Sequence, residues 1–130
     1  MSKYLFIVRL KSFHTSTSGD LIGKGEFSLE VTDHEGPHRY PHEGFIALGN
    51  NDTFSPKPMP TLLTGIIETG GNVNLNVKVI EHDVRDDDLF IDGQFSIHTD
   101  FLEQDVVLNG SEYECKLELN ILLEEIELQR

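Results

Sequence analysis

Residues 81–93 read EHDVRDDDLFIDG, and six of these thirteen side chains are carboxylates opposed by one arginine. Five of the six fall within one short stretch: Glu81, Asp83, Asp86, Asp87 and Asp88. Ca²⁺ is bound by about six to eight oxygen ligands, chiefly carboxylates and carbonyls, so this stretch can supply much of a calcium site. The alternative is a solvated acidic turn, because like charges held together without a cation repel one another.

A second segment with metal-binding side chains covers residues 33–43, DHEGPHRYPHE, in which three histidines recur every fourth residue. These are His34, His38 and His42. Neutral imidazole binds Zn²⁺, Cu²⁺ or Ni²⁺ well, so the segment is an alternative, transition-metal site. One glycine and two prolines disfavour a helix, and in a loop this spacing does not ensure that the rings converge. Two other interpretations are a polar, proline-stiffened crossover loop and a segment whose charge changes near neutral pH.

Alternating apolar and polar residues predict the strands that must position these segments. The clearest examples are EFSLEV at 26–31, NVNLNVKV at 72–79 and YECKLELNI at 113–121. Side chains alternate across a pleated strand, so each segment has one buried and one solvated face. The acidic segment therefore follows directly after a half-buried strand.

Less regular strand patterns lie between clusters of Gly, Pro, Asn and Asp. They cover residues 3–13, 43–48, 61–67, 90–98 and 104–109. Short strands at this spacing predict a single all-β domain, residues 1–130, folded as an antiparallel β-sandwich of about eight strands. We expect the tail ILLEEIELQR to continue the last strand, with a bulge, because Ile126 and Leu128 keep the alternation. The alternative is a short terminal helix.

The proline-rich segment GNNDTFSPKPMP at 49–60 is long for a connection between sandwich strands. Its three prolines stiffen it toward an extended conformation. Phe54 and Met59 can then either form an exposed contact site for another protein or pack under the edge of a sheet. We favour the second interpretation.

The net charge of −13 comes from 23 acidic and 10 basic side chains. An acidic surface repels nucleic-acid phosphates and anionic lipid headgroups, so neither nucleic acid nor a membrane is an expected partner. The single cysteine, Cys115, cannot form an internal disulfide, and no long apolar run or export signal is apparent. These features predict a cytoplasmic protein.

Sequence motifs for catalysis are absent. The chain has no G-x-S-x-G elbow, phosphate-binding loop or dinucleotide fingerprint. Cys115 lies on the apolar side of a period-two strand, where a small core residue is expected rather than a nucleophile. We therefore predict that the chain is not an enzyme.

The acidic segment does not match the EF-hand pattern, but it resembles the third calcium loop of C2 domains. That loop carries D-x-D, a further Asp after a short gap, and then an apolar residue and Gly that open the next strand. The corresponding residues here are Glu81-x-Asp83, then Asp87 or Asp88, then Ile91 and Gly93. SGDLIGKGEFSLEV at 18–31 is similar to the first loop of the same family, which would make Asp20 a further ligand.

The resemblance implies a C2-like β-sandwich that is a calcium-binding or protein-interaction module. Glu81, Asp83 and Asp88 would be the main ligands, with Asp87, Asp86 and Asp20 in support. The basic stretch of lipid-binding members is missing, since residues 57–78 contain only Lys57 and Lys78, so a membrane would need bridging calcium. The expected partner is a protein or a second copy of the chain. The alternative is a structural, self-assembling sandwich with no bound ion.

Overall fold

The computed structural model describes residues 2–19 and 23–126, and these residues form strands and connecting loops. The ten strands are β1 (Lys3–Thr15), β2 (Gly25–Asp33), β3 (Gly36–Tyr40), β4 (Ile46–Leu48), β5 (Asp52–Phe54), β6 (Thr61–Glu68), β7 (Asn72–His82), β8 (Asp88–His98), β9 (Glu103–Asn109) and β10 (Cys115–Ile126). Within this part of the chain there is no helix long and apolar enough to cross a membrane.

The strands form two antiparallel sheets, each with four positions. In one sheet β1 pairs with β10, which pairs with β9, while β5 and β6 pair with successive parts of β1. In the other sheet β2 pairs with β7, which pairs with β8, while β3 and β4 pair with successive parts of β2. Ten segments therefore occupy eight positions. The prediction of an antiparallel β-sandwich of about eight strands is confirmed.

The core lies between the two sheets and is built from the residues that the period-two patterns place on one face. Phe27, Leu29 and Val31 of β2 are buried, and so are Leu117 and Leu119 of β10. Burying such side chains contributes roughly 1.5–3 kcal/mol each, which makes this alternation the main determinant of the fold. The register between β2 and β7 joins two of these patterned strands directly.

Two segments that we interpret from sequence as connecting loops contain strands. Residues 36–40 form β3 and pair with β2 through a tight turn, which Gly36 closes with a φ of 117°. Pro37 is tolerated because β3 is an edge strand and its missing N–H is not needed for a ladder. The interpretation of 33–43 as a crossover loop is therefore wrong. In the segment 49–60, Phe54 belongs to β5 and packs against the core.

The end of the chain continues as a strand. β10 extends through Ile126 and pairs with β1 as far as Lys3, so the strand interpretation of the tail is confirmed for residues up to 126. Residues 127–130, including Leu128, lie outside the described part. Cys115 at the start of β10 is buried in the core, as its position in the alternating pattern predicts.

Candidate functional site

Glu81 is buried in the core-facing row of β7. It follows Val77 and Val79 in the alternation, and its exposed fraction is 0%. The loop before β2 covers it, because a Cβ built on Gly19 would lie 3.6 Å from the carboxyl carbon of Glu81. A carboxylate taken out of water is costly unless compensated. Its placement is thus an unusual feature of an otherwise apolar row.

Asp88 is the direct cross-strand partner of Glu81. The pairing between β7 and β8 shifts at a β-bulge, since Val79 opposes Ile91 whereas the next residue, Ile80, opposes Leu89. The extra residue, Phe90, is buried together with Ile91. The bulge changes the phase of β8, so Asp88 points to the same side of the sheet as Glu81, whereas an unbroken strand would point it away.

An acidic pocket of about 250 Å³ opens beside Asp88, between the β7–β8 and β9–β10 connections. Four carboxylates line it: Asp87, Asp88, Asp92 and Glu112. Asn109, Ser111 and Tyr113 add further oxygen atoms. None of the described residues that line this pocket is basic. All-oxygen ligand sets of this kind suit hard cations such as Ca²⁺ and Mg²⁺.

Tyr113 has a phenol whose pKa depends on its burial and on the carboxylates of this pocket. Its ring stacks on Phe90 with centroids 4.0 Å apart and planes 1° from parallel. Burial, and after it the carboxylates of Asp88, Glu112 and Glu81, raise the pKa of the Tyr113 phenol. Several negative charges therefore act at one point of the acidic pocket, which favours a cation there.

Glu112 and Tyr113 line the acidic pocket, and sequence reasoning did not identify either as a candidate ligand. They lie in the connection between β9 and β10, distant in sequence from segment 81–93. No local motif marks them, because the packing of the two sheets on each other brings this connection beside the start of β8. The alternation of β7, by contrast, does place Glu81 on the inward face once it is extended by two residues.

The other predicted calcium ligands are distributed over the loop. Asp83 is exposed and lines a different pocket, which also includes Lys24 and His82. Asp86 is exposed, and Asp87 lies with a carboxylate oxygen 3.4 Å from Nδ1 of His82. Asp20 lies outside the described residues.

The end of the sandwich that carries the acidic pocket, called the acidic end below, has several carboxylates that line one pocket. Among the described residues, their oxygen atoms do not converge on a single position. Within residues 2–19 and 23–126, three ligand atoms from separate acidic, His or Cys side chains come within 4.8 Å of one another only at Asp33, Glu35 and His38. Mutual repulsion favours such spacing at the acidic end. A cation there would have to draw the side chains together.

The three predicted histidines separate in the structure. His38 on β3 points its Nε2 atom at Oδ1 of Asp33, 3.1 Å away. His34 in the turn lies 3.8 Å from Glu35, and His42 is exposed beyond the end of β3. Burial opposes ionisation of Asp33, but hydrogen bonds from His38 and the backbone N–H of Glu35 hold its pKa below the usual value.

Cys115 shows none of the features of an activated thiol. Burial raises its pKa, and its Sγ atom lies 3.7 Å from the carbonyl oxygen of Phe90. A thiol needs a lowered pKa and access to act as a nucleophile. This arrangement agrees with a core role for Cys115.

The chain matches no protein-family model, and no curated protein matches it. Several solved structures share its fold. The human GIVD cytosolic phospholipase A2 in complex with methyl gamma-linolenyl fluorophosphonate aligns with a TM-score of 0.66 at 14% identity, over 98% of this chain and 18% of that one. A C2 domain of plant extended synaptotagmin 1 gives a TM-score of 0.61 at 12% identity, over 95% and 96% of the two chains. A C2 domain protein from Ramazzottius varieornatus gives 0.55 at 12% identity, over 96% and 90%.

These alignments establish a C2-like fold, as the sequence predicts. The chain spans nearly the whole length of the two C2 domains but only 18% of the phospholipase chain. At identities of 12–14% the likeness concerns the fold alone, and the chemistry must be argued from the residues of this chain.

Proposed function

We propose that the chain is a non-enzymatic C2-like module that binds Ca²⁺ at its acidic end and uses the ordered loops to contact a protein partner. The observation that carries the proposal is the β-bulge in β8, which turns Asp88 to the side of the sheet occupied by buried Glu81. β-bulges are common next to functional sites, where they re-aim a side chain. The bulge therefore places two carboxyl side chains opposite one another at the end of the core.

The residues that would hold the ion are those of the acidic pocket. Asp88 is the central ligand, with Asp87 and Glu112 reaching from the two neighbouring connections and Asp92 from β8. Glu81 lies next to this set, in the protein interior. Ca²⁺ accepts irregular sets of oxygen ligands at about 2.3–2.6 Å, whereas Mg²⁺ demands octahedral geometry and retains water, so Ca²⁺ suits a loop-built site better.

The proposed ligand set differs from the one expected from sequence. Asp83 lines the neighbouring pocket together with Lys24, whereas Glu112, which no local motif marks, lines the acidic pocket. Asp20 remains a predicted ligand from the loop before β2. Asp86 remains a supporting ligand that the ordering of the loop would bring closer.

Ion binding would act on the partner through loop order. The cation offsets repulsion between the carboxylates, and so fixes the β7–β8 loop that carries them. Val84 at the tip of this loop is fully exposed, which makes it an apolar contact point between Asp83 and Arg85. A partner that covers Val84 would bind more tightly once the loop is fixed, because less conformational entropy is lost. An anionic membrane would require the same bound calcium as a bridge.

Self-association without an ion is the second candidate. Two edge strands expose an aliphatic side chain each, Ile66 on β6 with 54% exposed and Val107 on β9 with 50% exposed. Exposed edges can pair with another copy. Charged neighbours on β9, Glu103 and Asp105, oppose such pairing, so we place it second.

Thermal melting in EDTA and in a Ca²⁺ titration to a few millimolar tests the proposal, with Mg²⁺ as a parallel series. Ligand at about 100 times its dissociation constant adds about 2.7 kcal/mol to the free energy of unfolding, which is a rise of several degrees for a domain of this size. The Asp88→Asn variant should lose the rise. Asp100→Asn, which removes an exposed carboxylate at the opposite end, should keep it.

Two results would overturn the proposal: no Ca²⁺-dependent rise in the wild type, or an equal rise in Asp88→Asn. Size-exclusion chromatography of the same samples addresses the second candidate. A dimer that persists in EDTA and is abolished by Val107→Lys would favour self-association through β9.

A further inference from the structure

We propose that Asp33, Glu35 and His38 form a binding site for Zn²⁺ or a similar transition-metal ion. The three residues lie at the β2–β3 turn, at the opposite end of β2 from the acidic pocket. The site is therefore separate from the proposed calcium site and has a different donor chemistry.

The three ligand atoms already lie close together. Nε2 of His38 is 3.1 Å from Oδ1 of Asp33, and a carboxylate oxygen of Glu35 lies within 4.8 Å of both ligand atoms. Two ligands of a tetrahedral zinc ion with bonds of about 2.0–2.1 Å are separated by about 3.3 Å. The Asp33–His38 pair thus has nearly the spacing of two zinc ligands.

The backbone holds this set in place. Asp33 and Gly36 are cross-strand partners, and Val31 opposes His38, so the two inner ligands are attached to paired strands. Oδ1 of Asp33 also accepts the backbone N–H of Glu35 at 2.9 Å, which fixes the turn that carries the third ligand. Ligands on paired strands lose less conformational freedom on binding a metal than ligands on a free loop.

A simple ion pair accounts for Asp33 and His38 but not for the whole cluster. Glu35 brings a second carboxylate oxygen within 4.8 Å of that pair. One imidazole and two carboxylates are a nitrogen–oxygen donor set, which suits Zn²⁺ rather than Ca²⁺. Within the described residues, this cluster is the one place where an imidazole nitrogen and two carboxylates come within 4.8 Å of one another.

The cluster also borders a groove that could admit the ion. A cavity of about 680 Å³ runs between the β2–β3 turn and the edge strand β6, and all three proposed ligands line it. Phe6 and Leu63 lie on its apolar side. The Asp33 side chain is only 12% exposed and that of His38 35% exposed, so the inner ligands are partly shielded from water.

Isothermal titration calorimetry with ZnCl₂, on the full chain freed of metal with a chelator, tests this site. The wild type should bind Zn²⁺, and His38→Gln and Glu35→Gln should each bind at least about tenfold more weakly, since even outer partners of metal ligands contribute that much. His42→Gln is the matched control, because it removes an exposed histidine of the same segment that lies outside the cluster. It should bind as the wild type does.

Glu35 is exposed in a turn, so we expect the Glu35→Gln variant to fold as the wild type does. It therefore still tests the site if the His38→Gln variant folds poorly. Asp88→Asn should retain wild-type zinc binding, which separates this site from the calcium proposal. The site is refuted if the wild type shows no zinc binding, if both cluster variants bind like the wild type, or if His42→Gln weakens binding as much as they do.

Discussion

Glu81 and Asp88 face each other across the β7–β8 ladder, on the same side of the sheet. Neither the alternation of β7 nor that of β8 alone requires this. It results from the bulge between the Val79–Ile91 and Ile80–Leu89 pairs, where Phe90 is the extra residue. Because of this extra residue, Asp88 and Leu89, which precede the bulge, point to the opposite faces from those that an unbroken strand would give them. The bulge thus positions both an acidic pair and an aromatic residue at one end of the core.

Phe90 should be one of the most important core residues. It is 1% exposed, stacks on Tyr113 and meets Phe27 edge-on at 5.0 Å. We expect Phe90→Ala to lower the free energy of unfolding by about 3–5 kcal/mol, as truncation of a buried aromatic residue leaves a cavity. Urea denaturation measures this change. Leu89→Ala, at a half-exposed neighbouring position, should change stability by less than about 1 kcal/mol, and an equal loss in both variants would contradict the account.

Gly65 is required by the ring of Phe6, its cross-strand partner. A Cβ at position 65 would lie 2.5 Å from Cε2 of Phe6, closer than van der Waals contact allows. Gly65→Ala should therefore lower the free energy of unfolding by about 1–3 kcal/mol. Combining it with Phe6→Leu should cost less than the sum of the single variants, because the smaller side chain removes the clash. Additive losses would show that the ring is not the cause.

Acid should weaken the stability contribution of Asp105. Hydrogen bonds from Lys11, at 2.6 Å, and from Asn120 lower the pKa of this carboxyl in the folded protein. The contribution is fully present above the unfolded value, near 3.9, and is lost as the pH falls through the lower folded pKa. Asp105→Asn should thus be modestly less stable than the wild type at pH 7. The two should converge at acidic pH, as chemical denaturation across pH would show, and a gap that widens in acid would contradict this.

The titration of Tyr113 reports on the acidic pocket. Burial and the nearby Asp88, Glu112 and Glu81 carboxylates raise its pKa. Asp88→Asn should therefore bring that pKa closer to the usual tyrosine value, and so should saturating Ca²⁺ in the wild type, because both remove net negative charge beside the phenol. NMR of ¹³C-labelled tyrosine rings measures the change. Asp100→Asn is the control, and a Tyr113 titration that Ca²⁺ leaves unaltered would place the ion elsewhere.

Most of the fold follows from local patterns. The alternation at 26–31, 72–79 and 113–121 identifies β2, β7 and β10, which are three of the four central strands of the two sheets; the fourth, β1, has a less regular pattern. Edge strands are harder to predict, because they need bury less apolar surface and they tolerate proline. β3 therefore has no clear alternation, and Pro37 at an edge resembles a loop residue.

The candidate site is only partly visible in the sequence. The acidic character of 81–88 is apparent, and Asp88 is one of the three main ligands expected from it, but Glu112 and Tyr113 come from a remote connection. The histidine segment shows the same limit. Its histidines recur every fourth residue, which predicts His34, His38 and His42 as one set. The pairing of β2 with β3 instead brings His38 close to Asp33 and Glu35. Spacing along the chain predicts proximity only where the backbone geometry is already known.

The central claim is that a calcium ion binds in the acidic pocket beside Asp88. A ¹H–¹⁵N NMR titration of the metal-free protein with Ca²⁺ tests it most directly, because each backbone amide reports its own surroundings. We predict saturable shifts in the amides of residues 83–92 and 109–114, little change at 33–38, and loss of the shifts in Asp88→Asn but not in Asp100→Asn. Absence of saturable shifts in the first two segments, or shifts confined to residues 33–38, would contradict the claim.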